Sequence, residues 1–160
     1  MFRPALAALA VLSAVVTPSF AVAQVTVGDP WVRATVAEQK ATGAFMQLTS
    51  IQDARLVGAS SPVAGVVEIH EMVMEKDIMK MRKLGNGLVL PAGKSVDLNP
   101  GGFHVMLMDL KQQIKAGDSV PMTLMIEEKG GKQIRMEVKA MAKPLATQAG
   151  GGKMEMMHKH

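Results

Sequence analysis

An all-β fold, an antiparallel sandwich or barrel, follows from three features of this sequence. Ten short strand-like segments are separated by Gly, Pro, Asn and Asp turn signals. Two of the segments alternate apolar and polar residues with the period of a half-buried strand. No segment sustains a 3.6-residue apolar period over three turns.

In chain order the expected strands begin with Trp31–Thr35, Ala44–Ser50 and Ala54–Ser60, the third ending at Ser61-Pro62. Val66–Val73 and Ile78–Lys83 follow as a hairpin turning at Glu75-Lys76-Asp77. Gly85-Asn86-Gly87 leads into Gly87–Leu90, and Pro91-Ala92-Gly93 separates that segment from Ser95–Leu98. Asn99-Pro100-Gly101-Gly102 precedes His104–Leu110. Gly117-Asp118 precedes Ser119–Ile126, and Gly130-Gly131 precedes Gln133–Ala140. In the last strand Ile134, Met136, Val138 and Ala140 alternate with Gln133, Arg135, Glu137 and Lys139. In the fourth, Val67, Ile69, Glu71 and Val73 share one face, and Glu68, His70, Met72 and Met74 share the other.

Both ends lie outside this fold. Arg3, the 12-residue run Ala5–Val16 and Ala21-Val22-Ala23 read as a secretory signal peptide, residues 1–23, cut between Ala23 and Gln24. The run is too short to span a bilayer, which takes about 20 residues, so an exported protein without a membrane span is expected. Of 160 residues, 137 then remain: a domain at 24–142 and a flexible tail at 143–160 ending Lys153-Met-Glu-Met-Met-His-Lys-His160.

The formal charge of +4, one unit of it from Arg3, is spread without a dense basic run. Only Trp31, Phe45 and Phe103 remain as aromatics after the leader. Nucleic-acid binding, which uses basic patches and stacking rings, is not expected. The chain has no cysteine, so neither a disulfide framework nor a thiol nucleophile is available. No Gly-x-Ser-x-Gly elbow occurs either, and the protein is not expected to be an enzyme.

What the chain does have is methionine, 14 residues after Met1, and four histidines. Two of the histidines lie on Met-flanked strands. If Met74 and Met79 close the hairpin, Met72 stands opposite Met81 and His70 is its diagonal neighbour, within reach of one metal ion. In His104-Val105-Met106 both donors project from one strand face. Two neutral imidazoles and two thioethers favour Cu(I) over hard ions and, without thiolate, disfavour structural zinc. His70, Met81, His104 and Met106 are therefore the candidate ligands. Met72, Met74, Met79 and Met108 are assigned to packing or the rim.

The segments Ile69-His70-Glu71-Met72, Met79-Lys80-Met81-Arg82 and Gly101-Gly102-Phe103-His104-Val105-Met106-Leu107-Met108 resemble the periplasmic copper chaperones called PCuAC. So do Asp29-Pro30-Trp31-Val32-Arg33-Ala34 and Gly117-Asp118-Ser119-Val120-Pro121, and the likeness spans residues 25–141. The 22 residues between Met81 and His104 exceed the family spacing by one, in a stretch with two Gly-rich turns. The resemblance implies a cupredoxin-like Greek-key β-sandwich or barrel with an exposed Cu(I) site at His70, Met81, His104 and Met106. It also implies a periplasmic role in delivering copper toward cytochrome c oxidase. The implied partners are a Sco-type thiol protein, the copper-bearing oxidase subunit, or both. The tail resembles the extension of some members, which would make His158 and His160, with Met154, Met156 and Met157, a second copper site suited to Cu(II).

Four other readings compete. A blue-copper electron carrier needs a cysteine thiolate, which the chain lacks. A histidine-brace copper oxidase would need a histidine at the mature N-terminus, where Gln24 is expected, and a Cu/Zn dismutase would need more imidazoles than the two in the folded region. Copper storage and tolerance, or a Met-rich sandwich that binds a protein without metal, remain as alternatives.

Overall fold

The computed structural model describes residues 24–144. The expected leader (1–23) and the donors His158, His160, Met154, Met156 and Met157 lie outside the described residues. Ten strands run in order: β1 (Val25–Arg33), β2 (Ala41–Ser50), β3 (Ala54–Ser60), β4 (Ala64–Glu75), β5 (Ile78–Lys83), β6 (Leu88–Leu90), β7 (Ser95–Leu98), β8 (His104–Leu110), β9 (Ser119–Glu128) and β10 (Gln133–Lys143). The all-β class stands, and each expected strand has a counterpart. No helix among the described residues is long and apolar enough to cross a membrane.

The differences are at strand ends. β1 starts at Val25 rather than Trp31, because the strand runs through Gly28-Asp29-Pro30 as an internal irregularity. The pairing register with β2 shifts between Gly28 and Trp31, and Asp29 takes a φ of 42°. Proline has no N–H to leave unpaired, so an irregularity of this kind tolerates it. β10 continues to Lys143 because Trp31, Val32 and Arg33 pair with Met141, Ala142 and Lys143 in parallel. That partner is about a hundred residues away in sequence and leaves no local signal.

The strands form one sheet in the order β5-β4-β8-β2-β1-β10-β9-β3-β6, with β7 also paired to β2. β2 changes partner along its length, pairing through Ala41–Ala44 with β8 and through Met46–Thr49 with β7. One face packs inward: Val32, Ala44, Leu48, Ile69, Val105, Leu107, Leu124 and Ile126 are all buried in a single cluster. Burying a Leu or Ile side chain stabilises the fold by about 1.5–3 kcal/mol. With Ile69, Val105 and Leu107 turned inward, strand alternation obliges His70, His104 and Met106 to lie on the outer face.

The β4–β5 hairpin has the expected register, with Met72 opposite Met81 and Met74 opposite Met79. Its loop is Lys76-Asp77, with φ of 48° and 64°. Two consecutive left-handed residues give the turn whose twist matches paired strands. All six residues of β5 are exposed.

Candidate metal centre

His70 of β4 and His104 of β8 are directly paired across the two strands, and Met106 is paired with Glu68. On its other side Met106 faces Gly43 of β2. Met81 enters from β5, opposite Met72. Three adjacent strands thus carry all four candidate donors on one side of the sheet.

Met81, His104 and Met106 line a cleft of about 300 Å³, together with Met72, Phe45, Pro100 and Arg33. His70 is outside that lining and adjoins it at His104, the two rings meeting edge to face with centroids 5.8 Å apart. With metal–nitrogen bonds of about 2 Å, imidazoles sharing one ion have centroids roughly this far apart. A larger hollow of about 470 Å³ between Asp53, Arg55 and Glu127–Gly131 contains no imidazole or thioether. Donor chemistry, not size, selects the smaller cleft.

Exposure divides the donors. His104 is only 5% exposed and the His70 side chain 12%, whereas Met81 is 48% exposed. The imidazoles form a floor and Met81 an open flank. His104 is covered on the β2 side by Phe45, centroids 6.3 Å apart, and Trp31 stacks on Phe45 at 4.5 Å. The Arg33 guanidinium lies 5.8 Å from the Phe45 ring centre. Gly43 leaves room for that ring: a Cβ there would sit 2.7 Å from Phe45 Cζ.

The two rings engage acceptors through opposite nitrogens. His104 Nδ1 lies 3.2 Å from the Gly102 carbonyl oxygen, which can only accept, so Nδ1 donates and Nε2 keeps its lone pair. The same carbonyl accepts the Met72 N–H at 3.1 Å, tying the β7–β8 loop to β4. His70 Nε2 lies 2.9 Å from Glu68 Oε2 and donates to it. Lys83 Nζ donates to Glu68 Oε1 at 2.7 Å. Burial holds the His104 pKa below its ordinary value, outweighing the Gly102 bond, and the nearby His70 and Arg33 add to the lowering. Hydrogen bonds from His70 and then Lys83 hold the Glu68 carboxyl below its usual range.

The sequence reading set Met72 aside with the rim methionines. Met74 and Met79 do lie at the open hairpin tip, but Met72 lines the cleft as a third thioether. Its position opposite Met81 was the available signal. The contributions of Phe45, Gly43 and the Gly102 carbonyl had no such signal, since each depends on strand pairing or loop placement.

A family model described as "Putative lipoprotein LpqE-like" matches residues 25–138. The chain belongs to the LpqE-like family. The resemblance to PCuAC domains read from the sequence therefore stands. Among curated relatives, the LpqE-like chain is 32% identical over 123 residues to "Putative lipoprotein Lxx21020" of Leifsonia xyli. That match covers 77% of this chain and 74% of the relative. A second, "Uncharacterized protein RP573" of Rickettsia prowazekii, is 31% identical over 115 residues, covering 69% and 64%. Among solved structures, the apo PCuAC domain from PmoF1 superposes with a TM-score of 0.61 at 24% identity, covering 78% of this chain and 98% of that one. This match establishes the cupredoxin-like β fold. The solution structure of Cu(I)-DR1885 from Deinococcus radiodurans matches with a TM-score of 0.53 at 33% identity, covering 73% and 76%.

Proposed function

We propose that this LpqE-like chain is an exported copper chaperone that carries one Cu(I) on His70, Met81, His104 and Met106. The observation that carries this reading is the convergence of two imidazoles and a set of thioethers on the outer face of the sheet in a chain without cysteine. Soft neutral sulfur with imidazole favours Cu(I) and adds no negative charge that would favour a harder ion. Two similar solved structures, the copper-bound PCuAC domain from PmoF2 and Cu(I)-DR1885, support the same reading.

The arrangement suits transfer. An incoming thiolate meets Met81 on the open flank and displaces a neutral thioether there, while the covered imidazoles keep hold of the metal. Thioethers resist the oxidising conditions outside the cytoplasm better than thiolates, short of sulfoxide formation. The finer proposal is delivery toward cytochrome c oxidase, working with a Sco-type thiol protein or the copper-bearing subunit in the periplasm. Export is supported by the leader-like residues 1–23 and by relatives named as lipoproteins. His158 and His160, with Met154, Met156 and Met157, would form a second copper site in the tail, suited to Cu(II).

The test is titration with Cu(I) under reducing conditions against a chromophoric chelator. Uptake of one equivalent that survives deletion of residues 150–160 and disappears in the His70→Ala, His104→Ala double variant is expected. Uptake unaffected by the double variant would sink the proposal.

A further inference from the structure

We propose that Glu68 is a positioning residue that locks His70 as the Nε2–H tautomer and so makes Nδ1 its metal-binding atom. The inference deepens the Cu(I) reading above and rests on it.

Glu68 and His70 are two residues apart on β4 and point to the same face. Glu68 Oε2 accepts from His70 Nε2 at 2.9 Å, and its other oxygen accepts from Lys83 Nζ at 2.7 Å. Lys83 stands directly opposite His70 on β5, so the carboxylate is held from two strands. Each oxygen has its own donor, which leaves Glu68 little freedom to turn.

A neutral imidazole that donates from Nε2 carries its lone pair on Nδ1. That atom is buried and has no hydrogen-bond partner among the described residues. Leaving a buried acceptor unpaired is unfavourable, a penalty that a metal ion at Nδ1 removes. Ligating histidines commonly donate their second ring nitrogen to a carboxylate, which fixes the tautomer and raises ligand basicity. His104 has the reverse arrangement, with Nδ1 donating to Gly102 and Nε2 free. One ion between the paired rings is therefore bound through Nδ1 of His70 and Nε2 of His104.

The experiment is proton–nitrogen correlation NMR on the full chain with isotope-labelled histidine, first without metal and then with Ag(I), a soft monovalent probe whose nucleus couples to bound nitrogen. Without metal, His70 is expected to be protonated at Nε2. With silver, splitting is expected at Nδ1 of His70 and at Nε2 of His104. Glu68→Gln, whose amide oxygen still accepts from Nε2–H, should keep both results. Glu68→Leu should populate the Nδ1–H tautomer and weaken Cu(I) binding by about tenfold or more. Splitting at Nε2 of His70, with His104 still coupled, would overturn this inference alone. An unchanged tautomer in Glu68→Leu would do the same. Loss of coupling at both histidines in the unsubstituted chain would overturn it together with the copper reading. If Glu68→Leu fails to fold, the unsubstituted chain and Glu68→Gln still decide through the position of the silver splitting.

Discussion

His70 and His104 stand directly opposite one another on neighbouring antiparallel strands, 34 positions apart in sequence, with ring centroids 5.8 Å apart. Each ring has one nitrogen tied to a fixed acceptor, Glu68 for His70 and Gly102 for His104. The pair is thus oriented before any metal arrives, and a ligand site that needs little rearrangement loses little binding energy to ordering.

The exposed thioether separates binding from folding. Met81 is 48% exposed and outside the core, so Met81→Ala should change stability by no more than about 0.5 kcal/mol. Cu(I) affinity should nevertheless fall at least about tenfold, or about 1.4 kcal/mol. Urea denaturation and chelator competition on the same variant check both halves.

Acidity should act on the metal-free protein through His104. Burial depresses its native-state pKa below the ordinary value of 6.5, so the unfolded chain takes up the proton first as pH falls. The ring is neutral in both states well above about pH 6.5 and makes stability there independent of pH. Below about 6.5 stability declines, and the loss is complete once the native ring is also protonated. The urea midpoint should drop between about pH 7 and about pH 5, by less in His104→Gln than in the unsubstituted chain. An equal drop in both would show that His104 is not responsible.

Gly43 is expected to matter through Phe45. A side chain there would press on the Phe45 ring, which backs His104. Gly43→Val should destabilise the fold by about 1–3 kcal/mol as an overpacking change and weaken Cu(I) binding as His104 loses its backing. Retained affinity in a destabilised variant would separate the ring's packing role from the site.

The hairpin that brings Met81 to His70 turns on two non-glycine residues with positive φ. Replacing Lys76-Asp77 with Asn-Gly relieves that strain, since this turn prefers the Asn-Gly pair. The double variant should gain about 1 kcal/mol, seen as a higher urea midpoint with Cu(I) affinity unchanged. A loss of stability would mean that the Lys76 and Asp77 side chains make contacts worth more than the strain.

Much of this was legible locally. Strand alternation placed Glu68, His70 and Met72 on one face of β4, and His104 with Met106 on one face of β8. Hairpin register placed Met72 opposite Met81, because a turn at Glu75-Lys76-Asp77 closed by Met74 and Met79 sets that pairing. The N-terminal half of β1 was not legible, since Gly28-Asp29-Pro30 breaks its pattern and only pairing with the long β2 strand carries it through the irregularity.

Sequence alone, then, determined the strands, their faces and the type of donor: thioether and imidazole with no thiolate. Tertiary structure decided that β8 inserts between β4 and β2, which set His104 against His70, Met106 against Glu68, and Phe45 behind His104. The difference is physical. Side-chain alternation and turn geometry act over a few residues and are written locally, whereas strand order is settled by which apolar faces pack best across the whole core.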